Sequence, residues 1–186
     1  MQLITSLTDG SVTLRQMQKS DSSIIFEAVQ ESLADLKPWM SWAHERYSEE
    51  ENRKWLESQP KGWEEGTDYT FAITDARDGS YIGGSGLTHI NPAYRLANLG
   101  YWVRSDRRGQ GFAGQAARLV ARFGFEQLNL IRAEIVVATG NTASLRVAEK
   151  AGAKREGILR NRMVIREMVY DAVMHSLIPQ DFGLEL

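Results

Sequence analysis

The 186-residue chain contains no cysteine. That absence excludes disulfides, thiolate zinc sites, iron–sulfur clusters and cysteine nucleophiles together, and it fits a cytoplasmic location. Histidine is scarce: His44, His89 and His175 lie far apart and never form an H-x-x-x-H pair, so no metal centre is expected. No apolar run approaches the roughly 18 residues of a membrane span. Met1–Leu7 lacks a basic segment followed by a long apolar core, so a signal peptide is not expected either. Charge is nearly balanced, 22 basic against 24 acidic residues, which leaves no overall basic field for nucleic acid. Without repeats, low-complexity tracts or a long Pro/Gly/Ser linker, residues 1–186 read as one domain large enough for a substantial core.

What is present is a mixed pattern. Val12–Arg15 reads as a first strand, and Ser20 or Asp21 as the cap of a helix through Ile24, Ile25, Ala28 and Val29. Ser48-Glu49-Glu50-Glu51 matches a capping box that opens a second helix through Trp55 and Leu56. Tyr69–Thr74 alternates like a strand, Asp78-Gly79 marks a hairpin turn, and a partner strand runs from Tyr81 toward Ile90. A strand at Leu99–Val103 follows, then a helix from Ala113 to Leu128 and a strand at Ala133–Ala138. The next helix starts near Asn141 and ends by Gly152. Met163–Ile165 and Tyr170–Ile178 suggest a closing pair of strands, whose exposed apolar residues permit a homodimer. This order predicts an α/β (α+β) domain built on one mixed, mostly antiparallel sheet flanked by helices.

The segment Arg107-Arg108-Gly109-Gln110-Gly111-Phe112-Ala113-Gly114 carries the chemistry. Its glycines allow a tight turn open to a ligand, and the helix behind it points unpaired N–H groups and its positive dipole end at the same space. Arg104, Arg107 and Arg108 add positive charge, so the segment predicts a phosphate-binding pocket. Read literally, Gly109, Gly111 and Gly114 spell the dinucleotide motif G-x-G-x-x-G. That reading lacks support: the next strand ends in Ala138-Thr139-Gly140-Asn141, with no acid for a ribose.

Read from Arg108 instead, the spacing Arg108-x-x-Gly111-x-Ala113 resembles the Q/R-x-x-G-x-G/A signature of the GNAT acyltransferase superfamily. Leu99–Val103 looks like that family's fourth strand, and Asn141-Thr142-Ala143-Ser144 with Glu149-Lys150-Ala151-Gly152 looks like its N-x-x-S…K-x-G segment. Gly157 and Tyr170–Leu177 resemble its closing hairpin. Leu36-Lys37-Pro38-Trp39-Met40-Ser41-Trp42 resembles the aromatic loop of the ribosomal-protein N-terminal acetyltransferase (RimJ/RimL-like) branch. The likeness runs from Val12 to Ile178.

The resemblance implies a GNAT-like domain with splayed fourth and fifth strands and acetyl-CoA as cofactor. It implies pyrophosphate on the N–H groups of Gly109, Gln110, Gly111, Phe112, Ala113 and Gly114, with Arg108 at the entrance. Trp102, Val103 and Arg104 match the strand that pairs with pantetheine amides, and Asn141 matches a pantetheine partner. Ser144 matches the residue that meets the departing sulfur, although a serine in a first helical turn also serves helix N–H groups. Backbone donors near Val103 would stabilise the oxyanion as a neutral amine attacks the thioester directly. Trp39, Trp42, Tyr101 and Met163 are the acceptor-side candidates, the two tryptophans serving equally well to pack a helix end.

Asn98 and Met163 stand where relatives carry acids, leaving His89, His44, Glu45 and Tyr101 as candidate bases. An α-amino group is roughly one-third neutral near pH 7.5, whereas a lysine amine is only about 0.1% neutral. A site without an evident base therefore favours an α-amine, such as a protein N-terminus. A small-amine acetyltransferase, of polyamine or aminoglycoside type, and a non-catalytic CoA-binding module are the alternatives.

Overall fold

The computed structural model describes residues 6–185, so most of the Met1–Leu7 segment lies outside the described residues. The elements are β1 (Ser6–Thr8), β2 (Val12–Gln16), α1 (Ser22–Glu31), α2 (Leu33–Leu36), α3 (Glu49–Glu65), β3 (Tyr69–Asp75), β4 (Tyr81–Asn91), β5 (Leu96–Val103), α4 (Phe112–Leu128), β6 (Arg132–Ala138), α5 (Thr142–Lys150), β7 (Lys154–Ile165) and β8 (Met168–Leu177). They form one eight-stranded sheet in the order β1-β2-β3-β4-β5-β6-β8-β7. Every neighbouring pair is antiparallel except β5–β6.

The parallel pair positions the site. It joins only Leu96–Asn98 to Arg132–Glu134 and then opens. Beyond that point β5 stays registered with β4 as far as Val103, while β6 stays registered with β8 as far as Ala138. Each outer half is committed to a different neighbour, and the two strands splay as the resemblance implied.

Two apolar layers cover the sheet. On one face, Leu14, Phe71, Ile73, Leu87 and Leu99 pack with Ala116, Ala117, Val120 and Phe123 of α4. Trp63, at the end of α3, closes this layer edge-on against Tyr69 and Phe71, with ring centroids 5.0 and 5.1 Å away. On the other face, Ile25 and Val29 of α1, Leu36 of α2 and Leu56 of α3 pack with Met17, Ala72 and Tyr81. The predicted capping box holds α3: Ser48 Oγ accepts from the Glu51 N–H at 3.2 Å, and the Glu51 carboxylate accepts from the Ser48 N–H at 3.1 Å. Among the described residues no helix is long and apolar enough to cross a membrane.

Two local expectations need correction. Asp21 stands at the N-cap position of α1, but its carboxylate takes both Arg15 guanidinium nitrogens at 2.7 Å and the Gln18 N–H at 2.8 Å; it does not cap that helix. An ion pair offered more than one capping bond, and it won. The closing hairpin also begins at Lys154 rather than near Met163. Most of β7 is exposed, so no apolar alternation marks it, and the register shifts between Leu159 and Met163. Ile158, Val164, Met168 and Val169 of this hairpin are exposed.

Candidate active site

The glycine segment forms the predicted cradle. Gly109 and Gly111 have φ of 76° and 89°, the left-handed region that disfavours other residues, and a Cβ on either would meet nothing within 4 Å. Gly111 stands at the N-cap of α4, where the first helical bond is from the Gln115 N–H to the Gly111 carbonyl at 3.1 Å. Among the described residues, none of the N–H groups from Gly109 to Gly114 donates to an intrachain partner. Gly114 differs from the other two: its Cα faces α5, with Ala151 N 3.8 Å from a built Cβ. It offers the site its backbone N–H alone.

The arginines correct the picture of free positive charge. Arg104 is held by Glu31 at 2.6 Å and Asp106 at 2.7 Å. Arg107 turns back to Asp75 at 3.2 Å and to Ser80 Oγ at 2.6 Å. Arg108 pairs with Asp35 on α2 at 2.6 Å, and the Ser105 hydroxyl, joined by Arg108, holds the Asp35 carboxyl below the usual carboxylate range. The unpaired N–H row and the helix dipole therefore supply the anion-binding potential, with half-exposed Arg108 the most exposed of the three guanidinium groups.

The splay has a definite polarity. The Arg104 N–H donates to Ile82 O on β4 at 2.9 Å, while Arg95 O accepts from Ile131 N beside β6 at 2.8 Å. Strand alternation then turns the peptide groups of Tyr101 and Val103 into the gap and those of Trp102 and Arg104 toward β4. Of the three residues expected to pair with pantetheine, only Val103 presents its backbone there. Trp102 contributes differently, its indole lying on the opposite face against Tyr81 and Trp42, with ring centroids 6.0 and 5.9 Å away. A Cβ on Gly84 would come within 2.8 Å of Trp102 Nε1, so the indole lies where a side chain would stand.

Across the splay, Asn141 caps α5: its Oδ1 accepts from the Ser144 N–H at 3.1 Å. Its side-chain amide N–H groups have no partner among the described residues. Ser144 Oγ donates to the Tyr101 hydroxyl at 3.2 Å, and that hydroxyl donates to the Ser144 carbonyl at 3.0 Å. Burial pushes the Tyr101 phenol up to about 12, so at neutral pH it remains protonated. This Tyr101–Ser144 link was not foreseen from sequence, which placed Tyr101 on the acceptor side. Its alternation with Val103 was the available signal.

On the face opposite α4 lies a cavity of about 830 Å³ between α1, α3, the loop before α3 and strands β3–β5. Gly84, Gly86 and Gly100 line it, as do Tyr101 and Trp102, so cavity and splay share these two β5 residues. Trp42 is in its wall. Trp39 is not: it packs on Gly140, where a Cβ would lie 3.2 Å from Trp39 Cη2, and so braces the β6–α5 junction. Met163 is also absent from the wall, because it sits in the β7–β8 hairpin opposite Tyr170. Of the candidate bases, His44 reaches the cavity, its Nε2 3.3 Å from Glu51, whereas the Tyr101 hydroxyl is turned to Ser144 across the splay. His89 is exposed beside Thr88, and Glu45 pairs with Lys37. Among the described residues no group of three His, Asp or Glu is arranged to hold a metal. Gln59, Asp68 and Tyr81 are also in the lining and carried no sequence signal.

A parallel pair that opens onto an N–H cradle, backed by a cavity on the other face, defines an N-acetyltransferase. Residues 11–154 match the acetyltransferase (GNAT) domain family, and the chain belongs to it. That family uses acetyl-CoA. The chain is 27% identical to YdaF of Bacillus subtilis (strain 168), provisionally named a ribosomal N-acetyltransferase, over 97% of this chain and 98% of that one. It is also 27% identical to the spermidine N(1)-acetyltransferase of Escherichia coli (strain K12), over 58% of each chain. It shares its fold with Mycobacterium smegmatis RimJ in complex with CoA-disulfide: TM-score 0.85 at 22% identity, covering 97% of this chain and 88% of that one.

Proposed function

We propose that this chain transfers acetyl from acetyl-CoA to the α-amino group of a protein or peptide N-terminus held in the 830 Å³ cavity. The observation that carries the reading is the meeting of cavity and splay at Tyr101 and Trp102. An amine in the cavity and a thioester in the splay reach the same stretch of β5 from opposite sides.

The residues fit this assignment. The N–H groups of Gly109–Gly114 hold the pyrophosphate, with Arg108 at the entrance, and the inward Tyr101 peptide group and Val103 carbonyl pair with pantetheine. The free Asn141 amide is a second pantetheine donor. Acetyl-CoA supplies the activated acyl carbon and a thiolate leaving group. The Val103 N–H, fixed by the strand, stabilises negative charge on the carbonyl oxygen, an effect worth a few kcal/mol. The Ser144 hydroxyl has one proton, which the Tyr101 phenol accepts in the structure and which turns to the departing sulfur in the reaction. An α-amine, already partly neutral near pH 7.5, needs little help to lose its proton. Similarity to YdaF supports a protein acceptor.

The test is acetylation of peptides with free N-termini against lysine peptides with blocked N-termini, with the product located by mass spectrometry. Acetyl on the α-nitrogen is expected. Modification of lysine Nζ alone would overturn the α-amine assignment.

A further inference from the structure

We propose that Gly100 is a specificity-determining position, its bare backbone forming the floor on which the acceptor peptide lies behind its amine; this rests on acetyl transfer in that same cavity. Among the described residues, five glycines stand inside strands, and four of them are explained within the chain. A Cβ on Gly83 would lie 2.1 Å from Trp102 O, and one on Gly86 would lie 2.6 Å from Tyr69 O, both backbone atoms. One on Gly84 would meet the Trp102 indole at 2.8 Å and Met17 Cε at 3.1 Å. Gly157 sits at a break in the β7–β8 register, where a bulge favours glycine.

Gly100 has none of these reasons. It is not among the glycines of positive φ, so other residues fit its backbone conformation. A Cβ built on it meets nothing within 4 Å. It lies mid-strand, in the continuous register from Gly83–Val103 to Thr88–Asn98, where glycine loosens a strand relative to alanine. An exposed glycine inside an eight-stranded sheet thus weakens β5 without relieving any contact in the chain. Such a position marks close approach by a ligand.

The surroundings say which ligand. Gly100 lines the cavity, and its open side faces it, because Trp102 stands two residues on along the same face of β5 and is in the same wall. Its cross-strand partner Gly86 also lacks a side chain, so bare backbone spans two strands beside Tyr101. Trp102 and Trp42 bound this floor at one end. Thr88, whose Oγ1 accepts from Asn98 Nδ2 at 3.4 Å, bounds it at the other. Asn98 to Trp102 is four residues, about 13 Å, room for one extended chain. The Val103 N–H, assigned to the acyl oxygen, is three residues from Gly100, about 10 Å. What covers Gly100 is therefore not the amine but the segment up to roughly three residues behind it. A side chain at this position would fill the floor and push that segment off β5. The pyrophosphate cradle, built from Gly109–Gly114, would be untouched.

Wild type, Gly100→Ala and Gly100→Leu are compared on two acceptors, the amidated peptide Ser-Ala-Ala-Ala and spermidine. Each is assayed for kcat and KM with acetyl-CoA, with CoA affinity by titration and folding by thermal melt. Gly100→Leu should raise KM for the peptide by about tenfold or more, with kcat within threefold and CoA affinity within twofold of wild type. Gly100→Ala should raise KM less and melt no lower than wild type. A folded Gly100→Leu protein whose acceptor KM stays within twofold, or whose CoA affinity falls along with its acceptor binding, overturns the floor and leaves acetyl transfer standing. If wild type uses spermidine alone and Gly100→Leu raises its KM tenfold, the floor stands and the α-amine reading falls. No transfer by wild type to either acceptor overturns both.

Discussion

Replacing Gly111 with valine separates backbone strain from loss of the cradle. Gly111 has φ of 89° at the first turn of α4. An L-residue there costs about 1–2 kcal/mol, which for a chain of this size lowers Tm by roughly 2–8 °C. The effect on binding is larger. No atom lies within 4 Å of the built Cβ, so the branched side chain would project into the space beside the free N–H row. Denying a pyrophosphate two of those N–H groups removes about 3–6 kcal/mol, since a hydrogen bond to a charged group contributes roughly 1.5–3 kcal/mol. At about 1.4 kcal/mol per decade, CoA affinity should fall at least about 100-fold. Isothermal titration with CoA, run beside a thermal melt, measures both quantities. Gly114→Ala is the control: its Cβ would make ordinary contacts at 3.8 and 3.9 Å, and alanine keeps the N–H. Its CoA affinity should match wild type, with Tm equal or higher. A folded Gly111→Val protein that binds CoA within threefold of wild type would refute the cradle.

Ser144→Ala and Tyr101→Phe should each lower kcat by about fivefold or more, since either removes the hydroxyl pair across the splay, with CoA affinity largely kept. Unchanged turnover in both would make the pair structural. Gly83→Ala places a Cβ 2.1 Å from Trp102 O and 2.9 Å from Val103 Cα, both backbone, so β4 and β5 must separate; urea unfolding should show a loss of about 3 kcal/mol or more. A loss below about 1 kcal/mol would contradict that close approach. Arg132 and the Ser176 hydroxyl hold the Glu156 carboxyl at about 2, below its ordinary 4.5. A depressed folded value means the stabilisation is complete above pH 4.5 and is lost as pH falls toward 2. Urea midpoints of wild type should therefore drop more steeply than those of Glu156→Gln across that window, and parallel curves would count against the pairing.

Local features of the site were legible in the sequence. The glycine segment before the helical run at Ala113, the Ser48–Glu51 box and the Asn141 cap are decided by residues within a turn of one another, where backbone preference and capping chemistry dominate. The position of the glycine turn follows from such spacing, whereas the choice of Ser144 rests on the family resemblance. Features fixed by partners distant in sequence were not legible. Arg104 and Arg108 look free until folding brings Glu31 and Asp35 against them, more than seventy residues away in the chain. Trp39 and Trp42 sit three residues apart, yet one braces the β6–α5 junction and the other lines the cavity.

The sequence by itself determined a GNAT domain with a glycine-rich helix start and a serine at the next strand–helix junction. Only the tertiary structure decided which peptide groups of β5 face the splay, because that direction depends on the registers with β4 and β6. It alone joined Tyr101 to Ser144 and gathered Gln59, Asp68 and three glycines of two strands into one cavity. The physical reason is common to all of these: a helix start is a short-range property of the chain, whereas an open ladder and a lined cavity exist only after distant strands have paired.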